Sequence, residues 1–529
     1  MIIIDPVALG DVACTRASTA TYYDRNGVLQ TAPANTLRVT YYPSDLSKAP
    51  YALIEAAATN PMLYSQDFTN AAWVKFQVLI TPNATTAPDG TNTGAKMVAN
   101  GAAEQSLKQQ FSYTAGVQVT ASVYLKKAEY DLMGVAISST LTTISGNVTF
   151  DLTNKTANFS GAVQAATISD AGNGWFHCTW TFTPTATGTN SGGWWLNLAR
   201  TTGDGVSGVY VWGAQLEVGS VATSYIPTTA AAVTRAADVI AAGAGLVYSN
   251  VAITETAYSA TTTYAQNAVV YDPATYLTYQ SLIAANTGKA LTDTTSWTPL
   301  KKVVNRWLMF DPYNNTQTSN AEEILVVVSP QAIAQGIYFG NVDANESRIS
   351  CVDLTDGLVY QEVQNLVLSN SGSSFYNWFF KRIKKKTYAV TVQLPPYANA
   401  LVTIAIKKPG GTPKCGVCAI GPLVDVGLSQ YGLSREIKDY STVNFNFDGT
   451  SNVELRNFAK ILNIDVIVPN DQIDSVTEEL ENNYRQKPVA WIGAAGYGCA
   501  CLFGPYVSFK TVIPYPTESA VNLQIQATV

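Results

Sequence analysis

A single histidine in 529 residues removes most familiar catalytic plans at the outset. A serine or cysteine nucleophile with a histidine base would have to use His177, and a zinc site built from several histidines is excluded. Charge is scarce too. Asp, Glu, Lys and Arg make up 13% of the chain, roughly half the share usual in soluble globular proteins. The 38 acids and 32 bases leave a net charge of −6, which gives no long-range attraction for nucleic acid or an anionic membrane. No uncharged apolar run is long enough to read as a bilayer span, so no membrane insertion is expected. Met1-Ile2-Ile3-Ile4 is followed at once by Asp5-Pro6, with no basic leader, and does not read as a signal peptide. The seven cysteines are odd in number and scattered, which argues for reduced thiols in cores over a disulfide framework.

What is present points to sheet. Hydrophobic residues make up 47%, and Thr, Ala, Val, Gly and Tyr carry much of the rest, a mixture that favours strands over helices. A chain this long exceeds one core, so three or four domains are expected. Asn26-Gly27 between two apolar runs predicts a hairpin. Over 61–240, alternation dominates. Val117, Val119, Ala121, Val123 and Leu125 share one face, as do Phe176, Cys178, Trp180 and Phe182. Short alternating strands separated by Gly, Asn and Pro turns predict a sandwich or jelly roll. AAVTRAADVIAAGAGL reads as a connector, and a tyrosine-rich unit follows, ending at Trp297. Beyond residue 301 the strands lengthen. One helix is predicted over 470–486, with Ile473, Val476, Leu480 and Tyr484 on one stripe, Asp471 and Asp474 in its first turn, and Arg485 and Lys487 at its end.

Three stretches resemble known families. TRASTATYYDRNGVLQTAPANTLRVTY, LIEAAATNPMLYSQDFTNAAWVK, GNGWFHCTWTFTPTATGT and GVYVWGAQLEVGSVATSYIPT are similar to a module common in phage tail and fibre proteins, covering roughly 14–240. That resemblance implies a concanavalin- or jelly-roll-like sandwich of the carbohydrate-binding type. Residues 258–299, through Tyr264, Val269, Tyr271, Tyr276, Tyr279 and Trp297, resemble small chitin-binding-type modules. LPPYANALVTIAI and FDGTSNVELRNFAKILNIDVIVP resemble C-terminal regions of phage tail structural proteins.

His177 alternates away from the apolar face and reads as a sheet-surface side chain pointing to solvent or a groove. Cys415, Cys418, Cys499 and Cys501 have imperfect spacing for a zinc knuckle and read as core thiols, so no metal and no cofactor is expected. Glu217 sits on a strand without a second carboxylate nearby in sequence, which disfavours hydrolysis. The basic run Lys381 to Lys386 reads as a solvated strand edge or as a contact for an acidic neighbour. The best binding lead is aromatic. Trp195 with Asn197, and Tyr210 with Trp212, fall on faces opposite the apolar ones and suit a sugar's C–H face and hydroxyls.

The expected fold is therefore mainly β and multi-domain: a jelly-roll/concanavalin-like sandwich, a small β-module and a C-terminal β-rich α+β domain. The expected divisions are 1–60, an N-terminal β-rich segment packed on the next module; 61–240, the carbohydrate-binding-like jelly roll; 241–300, a linker plus the small module; and 301–529, a tail-structural domain. The expected function is that of a non-enzymatic virion structural protein of a bacteriophage tail, made in the host cytoplasm. Its partners would be other tail proteins, further copies of itself and host surface polysaccharide, with no nucleic acid. A tail-associated polysaccharide hydrolase is the alternative.

Overall fold

The computed structural model describes residues 1–528 apart from 102–104, 191–194, 199–201, 369–383 and 446. The chain is mainly β and forms two compact units, Ala13–Ala241 and Met1–Val12 with Ala242–Val529. The first is inserted into the sequence of the second, and we call them the inserted unit and the split unit.

The inserted unit is a β-sandwich. One six-stranded sheet runs, in spatial order, Val78–Thr85, Gly94–Ala99, Gly208–Val218, Val119–Lys127, Trp175–Phe182 and Val163–Asp170. The other runs Thr156–Gly161, Gly146–Asp151, Leu132–Ile137, Trp195–Asn197, Ser106–Lys108 and Val74–Phe76. The alternation seen in sequence sets the core. Val119, Ala121, Val123, Leu125, Phe176, Cys178, Trp180 and Phe182 all enter one apolar cluster with Leu196 and Leu198. In Gly208–Val218 the alternation breaks: Val209 and Val211 face this core, and then so do Ala214 and Leu216. The shift occurs at Gly213, whose φ of +63° suits glycine. A Cβ there would meet the Tyr124 ring at 2.9 Å. The pairing register slips at the same place, as a β-bulge requires.

The sandwich's first sheet is covered on its second face as well. Asn26-Gly27 does make the predicted hairpin, Ala20–Tyr23 pairing with Leu29–Ala32, with Gly27 at φ +73° and the Asp24 carboxylate accepting from the Asn26 and Val28 amides. Leu29, with Tyr23 beside it, packs on Tyr124, Trp175, Trp212 and Tyr225 in a second cluster. The ends of the unit are tied together. Cys14–Thr15 pairs with Val239–Ile240, and Ala58–Asn60 with Val233–Arg235. Beside these strands, Arg16 and Arg38 donate to Asp238 at 2.7 and 2.6 Å. Glu55 lies 2.9 Å from Arg38 and 3.6 Å from Arg235.

In the split unit the first residues are structural. Ile2–Ile4 lies between Leu423–Asp425 and Val489–Ile492 in a four-stranded sheet. Ile3 enters one apolar cluster and Ile4 another, which explains an unbroken apolar run in place of alternation. The residues read from sequence as the start of an N-terminal segment thus pair with strands more than 400 positions on. A six-stranded sheet (Gly10–Asp11, Gly245–Ser249, Glu323–Ser329, Leu401–Lys407, Glu346–Asp353, Gly357–Asn365) and a three-stranded one (Tyr388–Thr391, Gly336–Gly340, Val417–Gly421) contribute to a common core around Trp307 and Met309. The tyrosine-rich stretch forms a four-stranded sheet, Thr256–Ala257, Val269–Tyr271, Leu277–Ser281 and Trp297–Val303. Its Tyr264, Val270 and Trp297 are buried core.

The final region joins Phe458–Pro469, Glu518–Gln526 and Tyr506–Val512 in one sheet, against which the helix Ile473–Asn483 buries Ile473, Leu480 and, just past its end, Tyr484. Arg485 and Lys487, expected at its end, fall beyond it, and Lys487 pairs with Asp5 at 2.6 Å. Ser434–Asp439 runs along Phe458–Pro469, and the two strands extend as a ribbon through Thr442–Phe445 and Ser451–Glu454. Nearly all of this extension is exposed.

Candidate functional site

The two residue pairs singled out in the sequence, Trp195 with Asn197 and Tyr210 with Trp212, are carried by separate strands. Trp195–Asn197 and Gly208–Val218 belong to different sheets of the sandwich, and each turns its apolar alternates (Leu196; Val209 and Val211) into the shared core. Asn197 therefore faces away from the core on one side of the sandwich, and Tyr210 and Trp212 on the other. Trp212 is fully buried. Its Nε1 donates to Thr93 Oγ1 at 3.0 Å and its ring lies 4.7 Å from that of Tyr225. Tyr210 is half-buried, in register with Lys96 and Lys126. Alternation assigned Tyr210 and Trp212 to the correct face, but that face is roofed by the hairpin and by Tyr225. Asn197 is half-buried on its strand, and the Trp195 side chain lies outside the described residues.

His177 is likewise not at a free surface. Its ring is half-buried, 4.7 Å from that of Tyr124, and desolvation pushes its pKa down to about 4. Glu217 is buried and accepts from the Thr223 amide and Gln215 Nε2, each at 2.8 Å. It acts as a local staple, with a pKa raised by burial.

A more open arrangement lies in the split unit. A cavity of about 700 Å³ is built from segments spread over more than 200 residues. Tyr338 and Leu502 are buried at its wall together with Cys501, whose thiol burial pushes up to about 12. Asn314, Asn341 and Asn457 contribute amides, while Phe458 and Tyr497 contribute rings that are 50% and 68% exposed. Four cations, Lys385, Lys386, Arg435 and Lys460, line it, and the described lining includes no carboxylate.

The local fold fixes these side chains. Arg435 and Lys460 come from the paired strands Ser434–Asp439 and Phe458–Pro469. The Arg435 guanidinium donates to the Gly498 carbonyl at 2.5 Å, and Tyr388 donates to the Gly496 carbonyl at 3.2 Å. Lys385 lies on the short strand Lys384–Lys385, which pairs with Val367–Leu368, and contacts Asp343 at 3.6 Å. Among the described residues no carboxylate stands within ion-pair distance of Lys386, Arg435 or Lys460. The Lys460 ammonium is consequently held below its ordinary pKa, first by burial and then by the positive charge of Arg435. Two further groups at the wall, Asn314 Oδ1 and Thr528 Oγ1, are buried without a hydrogen-bond partner.

Such a wall can neutralise a negative charge, bond hydroxyls through amides and unpaired oxygens, and offer aromatic faces at the rim. It lacks, among its described residues, the carboxyl pair that glycoside hydrolysis ordinarily needs. The basic run is a partial signal of this site. Its Lys385 and Lys386 reach the cavity, Lys384 is exposed, and Lys381 to Ile383 lie outside the described residues. Nothing local in the sequence marked Arg435, Lys460 or the asparagines.

All seven cysteines are free thiols. Cys415, Cys418 and Cys501 are buried and Cys499 is exposed, and among the described residues no three His, Cys, Asp or Glu side chains gather as a metal ion requires. No described helix is long and apolar enough to cross a membrane.

No protein-family model matches the chain, and no curated protein matches it. Among solved structures, it bears a distant likeness to the N-terminal CBM22-1–CBM22-2 tandem domain of Xyn10C from Paenibacillus barcinonensis, with 10% identity, 68% of this chain and 96% of that one covered, and a TM-score of 0.19. A second likeness is to the GH78 family rhamnosidase of Bacillus sp. GL1, with 9% identity, 77% of this chain covered and a TM-score of 0.16. The match spans 36% of the rhamnosidase chain.

Proposed function

We propose that this protein is a structural and adhesive component of a bacteriophage tail, and that the cavity of its split unit holds an acidic glycan of the bacterial surface. The cavity wall carries the glycan half of this reading. It gathers Lys386, Arg435 and Lys460 without described acid partners, beside asparagine amides and the exposed Phe458 and Tyr497 rings. Holding like charges together is unfavourable unless an anion joins them, and a sugar carrying a carboxylate or phosphate supplies both that anion and the hydroxyls. The resemblance of residues 14–240 and of the C-terminal stretches to phage tail proteins supports the tail half. Binding without cleavage is favoured over hydrolysis because the described wall offers no carboxyl group.

The test is retention of the full chain on immobilised bacterial surface polysaccharides, together with peptide mass mapping of purified particles. Acidic polysaccharides should retain it and neutral ones should not, and its peptides should be found in intact virions. Retention indifferent to polysaccharide charge would overturn the glycan assignment, and absence from the particles would overturn the tail assignment.

A further inference from the structure

The strand Ser434–Asp439 pairs with Phe458–Pro469 along one edge only. Among the described residues, no strand pairs with its other edge. Open edges are normally blunted by charged side chains, by proline or by a covering segment. Here the edge reads Ser434-Arg435-Glu436-Ile437-Lys438-Asp439, and its charges are of opposite sign at equal distances on either side of Ile437. Fold this strand antiparallel on a second copy of itself, with Ile437 on the twofold axis. Arg435 then stands opposite the other copy's Asp439, and Glu436 opposite its Lys438. Each pair occurs twice, and every one is of opposite sign. A shift of the register by one residue on either side of this axis loses that matching.

We infer that this edge is a self-association site, at which two copies of the chain join their sheets by antiparallel pairing about Ile437. A twofold interface must be self-complementary, so that residue i meets j and j meets i. An order of signs that reverses about its centre is what such an interface demands. The surroundings agree. Ile437 is 67% exposed although apolar. Glu436 and Lys438 are exposed on the same strand face, within reach of a strand added alongside. Asn463 Nδ2 donates to Glu436 Oε1 at 3.0 Å and the Lys438 ammonium lies 5.5 Å from the Tyr440 ring centre, so both side chains are partly ordered before a partner arrives. The ribbon beyond carries Val443, Phe445, Val453 and Leu455, all more than half exposed. Val443, Phe445 and Val453 share one face by the pairing register, adding apolar surface next to the paired edge. A two-stranded ribbon with so little burial is marginal alone, and joining two sheets turns its base into the middle of a larger one.

The pair that the experiment exchanges lies outside the cavity, since neither Glu436 nor Lys438 lines it, whereas Arg435 does and donates to the Gly498 carbonyl. The experiment is sedimentation of the full chain and of charge variants. The wild type should reach a species of twice the 56.6 kDa chain mass. Glu436→Lys and Lys438→Glu should each weaken dimerisation by about tenfold or more, because each sets like charges opposite one another in both pairs. An equimolar mixture of the two variants should dimerise again, as should the double swap Glu436→Lys with Lys438→Glu. Recovery in the mixture shows at once that both variants are folded. A monomeric wild type overturns the inference. So does a dimer whose strength ignores both single swaps, and so does a mixture that stays monomeric while the wild type dimerises.

Discussion

Arg16 and Asp238 are separated by 222 residues in the chain and by 2.7 Å in the fold, and both side chains are fully buried. Asp238 also takes a 2.6 Å bond from Arg38 and a 3.0 Å bond from the Glu55 amide. One carboxylate thus gathers the first and last strands of the inserted unit. Taking it away leaves the buried Arg16 guanidinium without a carboxylate, while Arg38 and Arg235 keep Glu55. Asp238→Asn should cost the inserted unit about 3–5 kcal/mol, read as a lower denaturant midpoint of its unfolding transition. A loss under about 1 kcal/mol would place the ties of this unit elsewhere.

Trp212 is core and not a sugar platform, which makes a second expectation. Trp212→Ala removes a buried indole together with its bond to Thr93, and should destabilise the inserted unit by about 3–5 kcal/mol. Glycan binding by the split unit should be unchanged in whatever fraction stays folded. Normal stability with lost binding would reverse that conclusion.

His177 gives the inserted unit a pH dependence. Its ring is kept neutral in the fold, with a pKa near 4 against an ordinary 6.5. The unfolded chain therefore takes up a proton as pH drops below 6.5, while the folded one does so only near 4. Stability should decline across that window, by no more than about 3 kcal/mol, and level off below it. His177→Gln should flatten this part of the stability profile. An unaltered profile in the variant would mean that the decline belongs to carboxylates.

Lys460 sets the alkaline limit of ligand binding. Only its protonated form attracts an anion, and burial beside Arg435 lowers its pKa from 10.5. Affinity for an acidic sugar should fall as pH rises, with the loss beginning earlier than for an ordinary lysine. Lys460→Arg should abolish that fall, since guanidinium stays charged. A titration that is identical in the two proteins would remove Lys460 from the site.

Much of the sandwich was legible in sequence because one buried face per strand imposes a period of two, as at Val119 to Leu125 and Phe176 to Phe182. What alternation does not reveal is whether the opposite face is also covered. Trp212 was misread for that reason, its cover coming from Leu29, Tyr23 and Tyr225. The helix stripe was equally readable from Ile473, Leu480 and Tyr484. The candidate site was scarcely readable, because Asn314, Arg435, Lys460 and Tyr497 belong to separate segments and meet only through long-range pairing. Lys385 and Lys386 alone had a local signature.

The central claim is that the cavity recognises an acidic sugar, and calorimetry tests it most directly. A uronic-acid oligosaccharide and its carboxyl-reduced, neutral counterpart would each be titrated into the full chain, then into Lys460→Gln and Arg435→Gln. The account predicts that the acid binds and its neutral counterpart does not. Each variant should lose about tenfold in affinity, the scale of one charged hydrogen bond, and added salt should weaken what remains. Equal binding of the two sugars, or variants that bind the acid as the wild type does, would contradict it.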